Sequence, residues 1–192
     1  MSVRQNTSGK RLLHSLGLAV TCLATALALA ADAGLDAARS TIVATFRQES
    51  VPIDAPFRKF SGHIVYDASK PAAASANLDV ETGSLDIGDP AYNAEIRKQA
   101  WFDSVSFPLA TFRSTAIKAI SATRFEATGA LTIKGRVLTI TVPVAVSAGA
   151  SGTAFDGTLP VSRQAFGIGD PSWNDVIEDQ VNVRFHLVNA PH

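Results

Sequence analysis

Alternation of apolar and polar residues is the dominant pattern along most of the chain, and it is typical of β-strands that have one face against a core. It is clearest over 137–146, where Ile140 and Val142 fall on one face and Thr141 on the other. The same alternation occurs in seven further segments, at 41–47, 57–67, 72–81, 109–118, 124–133, 153–161 and 180–188. We therefore predict eight strands.

The short spacing of these segments restricts the fold class. Turn residues separate them, including Lys134-Gly135 and the glycines of 149–152, and long helical patterns do not alternate with them. Many short strands without intervening helices indicate an antiparallel sandwich or a closed barrel. The pattern thus predicts an all-β fold and leaves these two architectures open.

A heptapeptide pattern occurs twice, as Ile-Gly-Asp-Pro-Ala-Tyr-Asn at 87–93 and as Ile-Gly-Asp-Pro-Ser-Trp-Asn at 168–174. In each copy the aspartate, Asp89 or Asp170, can accept backbone N–H bonds as an N-cap, and proline suits the first helical position. We predict that these two Asp-Pro corners begin one or two short helices. They are either lids over the mouth of a barrel or capped corners that plug its ends, and capping signals alone favour the second.

The first thirty residues differ from the rest of the chain. They carry three basic residues and no acid, followed by a long uncharged apolar run that closes in small residues. This pattern is typical of a secretory signal peptide, so we predict removal of residues 1–30 and a single domain over 31–192 in the periplasm. Two alternatives are an uncleaved membrane anchor and a lipoprotein modified at Cys22, whose preceding residues form a poor lipobox.

Composition excludes several functional classes. The chain has 17 basic and 17 acidic residues, so it lacks the positive charge expected of a nucleic-acid-binding protein. Its one cysteine lies in the predicted signal peptide, which leaves the mature domain without a disulfide. An exported domain of this kind must be stabilised by its hydrophobic core alone.

Candidate catalytic and metal-binding residues are few. His63 and His186 fall on the polar faces of their strands, and no histidine pair has the spacing of metal ligands. One acidic cluster fits no calcium loop and is explained more simply by a solvated strand edge than by a cation site; its members are Asp79, Glu81, Asp86 and Asp89. Since no base is paired with a nucleophile in a known motif, we expect neither an enzyme nor a metal site.

Three motifs resemble the YceI-like family of periplasmic proteins. Trp-Phe-Asp at 101–103 with Phe-Pro-Leu-Ala-Thr-Phe-Arg-Ser at 107–114 is similar to the family's Phe-Phe-Asp and Phe-Pro-x-Ala-x-Phe-x-Ser. Gly-Ala-Leu-Thr-Ile-Lys-Gly at 129–135 resembles its Gly-x-Leu-Thr-Ile-x-Gly hairpin, and Arg-Gln-Ala-Phe-Gly at 163–167 resembles its Arg-x-x-Phe-Gly. The motifs occur in the family's order and, with Ser-Leu-Asp at 84–86, cover about residues 40–188.

The resemblance implies an eight-stranded, antiparallel, lipocalin-like barrel that holds a long isoprenoid lipid, of the quinone or polyprenyl type, in its interior. It implies a periplasmic binding or carrier protein without catalysis and without any cofactor besides the lipid. The alternatives are an accessory protein of a membrane cytochrome and quinone redox system, and an enzyme that acts on the bound lipid. Both a monomer and a homodimer remain open.

The large apolar residues on the inward strand faces are the predicted lipid-binding residues. They are Ile42, Phe46, Phe60, Ile64, Leu78, Phe112, Phe125, Ile140, Val142, Val183 and Phe185. A filled core of the same residues fits the pattern equally well, and a register error of one residue would invert a strand. The sequence departs from the family pattern near Arg47-Gln48, where the family usually has a histidine. This difference changes the polar groups at one end of the barrel.

Overall fold

The computed structural model describes residues 34–149 and 152–189, in which nine antiparallel strands form one sheet that curls into a half-barrel. The strands are β1 Thr41–Gln48, β2 Val51–Pro56, β3 Phe60–Val65, β4 Ser75–Glu81, β5 Leu109–Ser121, β6 Arg124–Ile133, β7 Arg136–Gly149, β8 Gly152–Ser162 and β9 Gln180–Val188. Their order in the sheet is β2-β1-β9-β8-β7-β6-β5-β4-β3. The all-β antiparallel prediction is confirmed. The predicted signal peptide and Cys22 lie outside the described residues.

The sheet has one strand more than predicted, because the sequence pattern did not identify β2 as a strand. Its prolines, Pro52 and Pro56, lack N–H donors and argue against a strand. They are tolerated because β2 is at an end of the sheet and, among the described strands, pairs only with β1. The β1–β2 turn is formed by Glu49 and Ser50 at positive φ values of 49° and 66°, without the glycine or asparagine that usually marks such a turn.

A segment outside the strands, residues 34–36, connects the β3 edge of the sheet to β9. The Leu35 N–H donates to the Gly62 carbonyl at 3.2 Å, and the Asp36 N–H donates to the Val188 carbonyl at 2.7 Å. One backbone carbonyl of β3 and one of β9, two strands that are not neighbours in the sheet, thereby gain hydrogen-bond partners. The inward faces of the strands are thus held around a common interior.

The two Asp-Pro corners begin helical turns as predicted. The Asp89 carboxylate accepts the N–H groups of Ala91 and Tyr92 at 2.7 and 3.1 Å and caps helix α1, Pro90–Glu95. The Asp170 carboxylate accepts the Ser172 N–H at 2.9 Å and precedes a 3-10 helix, Pro171–Trp173. The N-cap prediction is confirmed at both corners, although the second corner forms only a single 3-10 turn.

Buried side chains form two clusters, one at each end of the half-barrel. We call the end at which α1 and the 3-10 helix pack the helix end; its cluster includes Trp101 and Phe166. The opposite end, called the far end, contains Phe125 and Phe155, against both of which Tyr66 packs edge-on with ring centroids 5.7 and 5.5 Å away. No helix among the described residues is long and apolar enough to cross a bilayer.

Candidate functional site

A cavity of about 570 Å³ lies inside the helix end of the half-barrel. Both Asp-Pro corners line it, the first through Ile87 and Tyr92 and the second through Ile168 and Trp173. Tyr92 is 57% exposed and Trp173 is 38% exposed, so both of these lining residues are in contact with solvent. We call the part of the cavity that they line the mouth. The volume falls within the range of small-molecule sites.

A second cavity of about 160 Å³ lies at the far end, and its walls are almost wholly apolar. Six residues line both cavities and form the neck between them: Ile42, Val80, Ala110, Leu131, Leu159 and Val183. Along β6 the lining runs from Phe125 to Ile133, which is about 26 Å at the usual rise per strand residue. The two cavities adjoin end to end inside the half-barrel, and we call the pair of them the tunnel.

Most of the predicted site residues lie on the wall of this tunnel. Nine of the eleven line the far-end cavity: Ile42, Ile64, Leu78, Phe112, Phe125, Ile140, Val142, Val183 and Phe185. Phe46 lines the larger cavity instead. Phe60 lines neither of the two cavities and packs, half-buried, against the far-end cluster. That these residues bind a lipid stays a prediction.

Strand alternation could not reveal the helix-end lining, because much of it comes from the corners and loops. Phe57, Leu85, Ile96, Trp101 and Phe102 all line the larger cavity and all lie outside the strands. The duplicated heptapeptide was the available signal, since its two isoleucines and its two aromatic residues all line this cavity. Residues of both corners line this one cavity, and whether the corners act as lids or as plugs stays a prediction.

Arg163 is the buried polar anchor of the second corner, being 3% exposed. Its Nε donates to the Glu178 carbonyl, its Nη1 to the Ile168 carbonyl, and its Nη2 to both the Asn174 side chain and the Ile177 carbonyl, at 2.7 to 3.1 Å. All of these acceptors are neutral, and burial lowers the pKa of the guanidinium. The side chain therefore fixes the backbone of this corner against the cavity.

The first corner is fixed by a carboxylate outside the cavity. The Asp86 carboxylate accepts the Asn93 side-chain amide and the Gly88 N–H, each at 2.9 Å, and forms an ion pair with Arg58. These interactions, the Asn93 bond first, lower the pKa of Asp86 to about 2. Asn93 in turn accepts the Ile87 N–H at 2.8 Å, so the isoleucine that lines the cavity is held by the same network.

The four residues of the predicted acidic cluster have separate partners. Asp79 pairs with Arg113, Glu81 with Lys59 and Asp86 with Arg58, whereas Asp89 caps α1; the partners thus differ at every position. Across residues 34–149 and 152–189, no three His, Cys, Asp or Glu side chains are grouped as metal ligands would be.

His186 contacts a carboxylate on the outer face of the half-barrel. Its Nδ1 lies 2.6 Å from Asp156 Oδ1. Both residues alternate with side chains that line the tunnel, Phe185 beside His186 and Phe155 beside Asp156. The pair is therefore separated from the tunnel by the sheet itself.

Comparisons with known proteins agree with this architecture. The family model of the YceI-like domain matches residues 34–189. The chain is 31% identical over 172 residues to a UPF0312 protein of Shewanella putrefaciens, covering 83% of this chain and 87% of that protein. It is 27% identical over 172 residues to a UPF0312 protein of Azotobacter vinelandii, covering 83% of this chain and 88% of the relative.

Solved structures share the fold. BcnA of Burkholderia cenocepacia superposes with a TM-score of 0.79 at 39% identity, covering 81% of this chain and 99% of BcnA. A polyisoprenoid binding domain from Saccharophagus degradans, implicated in plant cell wall breakdown, gives a TM-score of 0.65 at 19% identity. The match covers 84% of this chain and 100% of that domain. At this lower identity the likeness concerns the fold alone.

Proposed function

The chain belongs to the YceI-like family, and from this premise we propose that it is a binding protein that holds a long isoprenoid lipid in its tunnel. The observation that carries the proposal is the pair of adjoining cavities, which share six wall residues and together extend over about 26 Å of the interior. A compact ligand would need one cavity only. The polyisoprenoid binding domain of similar fold adds support.

The walls of the tunnel suit such a tail energetically. An isoprenoid tail has no hydrogen-bonding group, so it gains affinity by removing apolar area from water, at about 0.8 kcal/mol per methylene-sized unit. Phenylalanine, valine, leucine and isoleucine side chains form most of the lining. Burying a polar ligand there would cost free energy, because its groups would find few partners.

The proposed role is that of a periplasmic carrier. It is supported by the signal-peptide pattern over residues 1–30. A lipid of the quinone or polyprenyl type is insoluble in water, and a protein that encloses its tail lets it leave a membrane. We assign no catalytic step to the tunnel, and the His186–Asp156 pair lies on the other side of the sheet.

The experiment is lipid analysis of the full chain expressed in a bacterium and purified from the periplasm without detergent. Native mass spectrometry should show a protein of mass consistent with removal of about the first thirty residues. It should also show a bound isoprenoid lipid, identified after extraction. An empty protein that also takes up no isoprenoid alcohol or quinone from vesicles would contradict the proposed function.

A further inference from the structure

The strands β7 and β8 separate towards the helix end. Among the described residues they pair over six positions at the far end, and the last of these is Val144 opposite Gly157. Beyond this point both strands continue, but 136–143 of β7 pairs only with β6 and 158–162 of β8 pairs only with β9. We call this unpaired stretch the split. Backbone pairing between β7 and β8 therefore does not close the wall of the half-barrel there.

Two prolines and a glycine mark the split in the sequence. Pro143 of β7 and Pro160 of β8 lie in the unpaired stretches, and proline has no N–H to donate to a neighbouring strand. Gly157 is the last paired residue of β8, and a Cβ there would lie 2.8 Å from the Pro143 carbonyl oxygen and would overlap the Phe185 ring. Glycine lets the two strands meet at this position, and the prolines disfavour pairing beyond it.

Apolar side chains line the split on both strands. Ile140 of β7 and Leu159 of β8 are partly buried and line the far-end cavity, and Leu159 is also one of the six neck residues. Leu138 falls on the same face of β7 as Ile140 but is 40% exposed, and the adjacent Val137 is 60% exposed. Apolar side chains are therefore present at every depth of the split, from the neck to the outer surface.

The split is bounded at the helix end by side chains of the β6–β7 hairpin. Arg136 Nη1 donates to the carbonyls of Ala165 and Gln164 at 2.9 and 3.4 Å, and Lys134 Nζ donates to the Gly167 carbonyl at 2.7 Å. All three acceptors belong to the turn that follows β8. The split is thus a window, held at one end by the last β7–β8 pair and at the other by these hydrogen bonds.

We propose that the split is a side opening through which an isoprenoid tail enters and leaves the tunnel. The inference rests on the proposed function and adds to it the route of exchange. A tail that enters here displaces side chains without breaking strand pairing, whereas passage between β6 and β7 would break a ladder of ten residue pairs. The tail enters the helix-end cavity sideways, and its end then slides past the neck into the far-end cavity.

The split suits a long tail better than the mouth does. The carboxylates of Asp89 and Glu95, on either side of Tyr92 in the chain, line the same cavity as the mouth, and an apolar tail that passes them displaces their water. A tail threaded end-on would bring each of its units past them in turn. From 137 to 143 the split extends over about 20 Å at the usual rise per strand residue, so several isoprene units can cross it together.

The test joins the two sides of the split by a crosslink on the outer face. Thr141 of β7 and Thr158 of β8 are exposed and alternate with tunnel-lining residues, so cysteines there leave the lining unaltered. Residues 31–192 contain no other cysteine. Thr141→Cys with Thr158→Cys is joined by a bismaleimide that contains a cleavable disulfide. The matched control, Thr128→Cys with Thr141→Cys, joins the same β7 position to its paired neighbour on β6, whose hydroxyl lies 2.9 Å away.

Exchange is measured as the transfer of bound solanesol to an excess of phosphatidylcholine vesicles, with the lipid left on the protein quantified by mass spectrometry. The crosslink across the split should slow transfer at least about tenfold and leave the Kd nearly unchanged, because entry and exit are slowed together. Reductive cleavage of the linker should restore the rate. The control crosslink should not change the rate.

Three results would count against the inference. Transfer at the parent rate from the protein crosslinked across the split would overturn it, because the tail would then leave by another route. Equal slowing by both crosslinks would also overturn it, since the effect would come from general stiffening of β7. A parent protein that binds no solanesol would contradict the proposed function itself, and the inference with it.

Discussion

Closing the neck should weaken the binding of long lipids and leave the binding of short lipids unchanged. Ala110 is the smallest of the six residues that line both cavities, so Ala110→Phe places a ring where the tail must pass. The far-end cavity of 160 Å³ would then be lost to the ligand. At about 30 Å³ for a water-sized unit this is roughly five methylene-sized units, or about 4 kcal/mol, which corresponds to about a thousandfold in Kd.

The assay compares a short isoprenoid alcohol, farnesol, with a long one, solanesol. Ala110→Phe should weaken binding of the long alcohol by about two to three orders of magnitude, because its tail loses the far-end cavity. Farnesol should keep its affinity, because the larger cavity alone accommodates it. Ala145→Phe makes the same change at an exposed position of β7 and should affect neither alcohol.

Two results would refute this reasoning. One is a variant that binds the long alcohol as well as the parent does, because the tail would then not pass the neck. The other is a combination of two findings. The parent protein takes up no lipid, and the variant loses roughly 1 to 3 kcal/mol in its free energy of unfolding, the usual cost of overpacking. The neck would in that case be core and not a passage.

Three further predictions concern the two corners. Asp89→Ala should lower the free energy of unfolding in urea by about 1 kcal/mol, whereas Asp89→Asn should change it little, because asparagine also caps helices; equal losses would contradict the capping role. Arg163→Met should cost about 3 kcal/mol by leaving four acceptors, two of them buried, without this donor, and Arg163→Lys should restore only part of the loss. Because the pKa of Asp86 is lowered to about 2, its carboxylate stabilises the fold above the unfolded pKa of about 4, and this contribution is lost as pH falls through 2. Asp86→Asn should therefore flatten the dependence of Tm on pH between about pH 4 and pH 2, and an unaltered profile would exclude this role.

The strands that sequence alternation predicts best are those with strongly contrasting faces. The predicted segments 124–133 and 180–188 match β6 and β9 residue for residue. The predicted segment 57–67 is shortened to Phe60–Val65. Its first residues instead form an isolated bridge between Phe57 and Leu85. Alternation cannot distinguish a paired strand from an extended segment, because both place successive side chains on opposite sides.

The two cavities of the candidate site also differ in how far strand alternation predicts them. The residues around the far-end cavity could be predicted, because strands supply nearly all of its lining and period two fixes which side chains face inward, but the same pattern fits a filled core. The helix-end cavity could not, because its wall depends on how two corners fold back over the sheet. Gln48 illustrates the limit: it continues the inward set of β1 after Ile42 and Phe46, and its polarity kept it out of an apolar selection.

The two tryptophans of the chain both lie at the helix end. Trp101 is buried and Trp173 is partly exposed, with ring centroids 6.3 Å apart. All indole fluorescence of the protein therefore originates beside the mouth. A quinone ring held at the mouth would quench this emission, whereas a quinone inserted ring-first to the far end would leave it nearly unaltered. The mouth thus contains an intrinsic optical reporter of which end of a cargo molecule enters last.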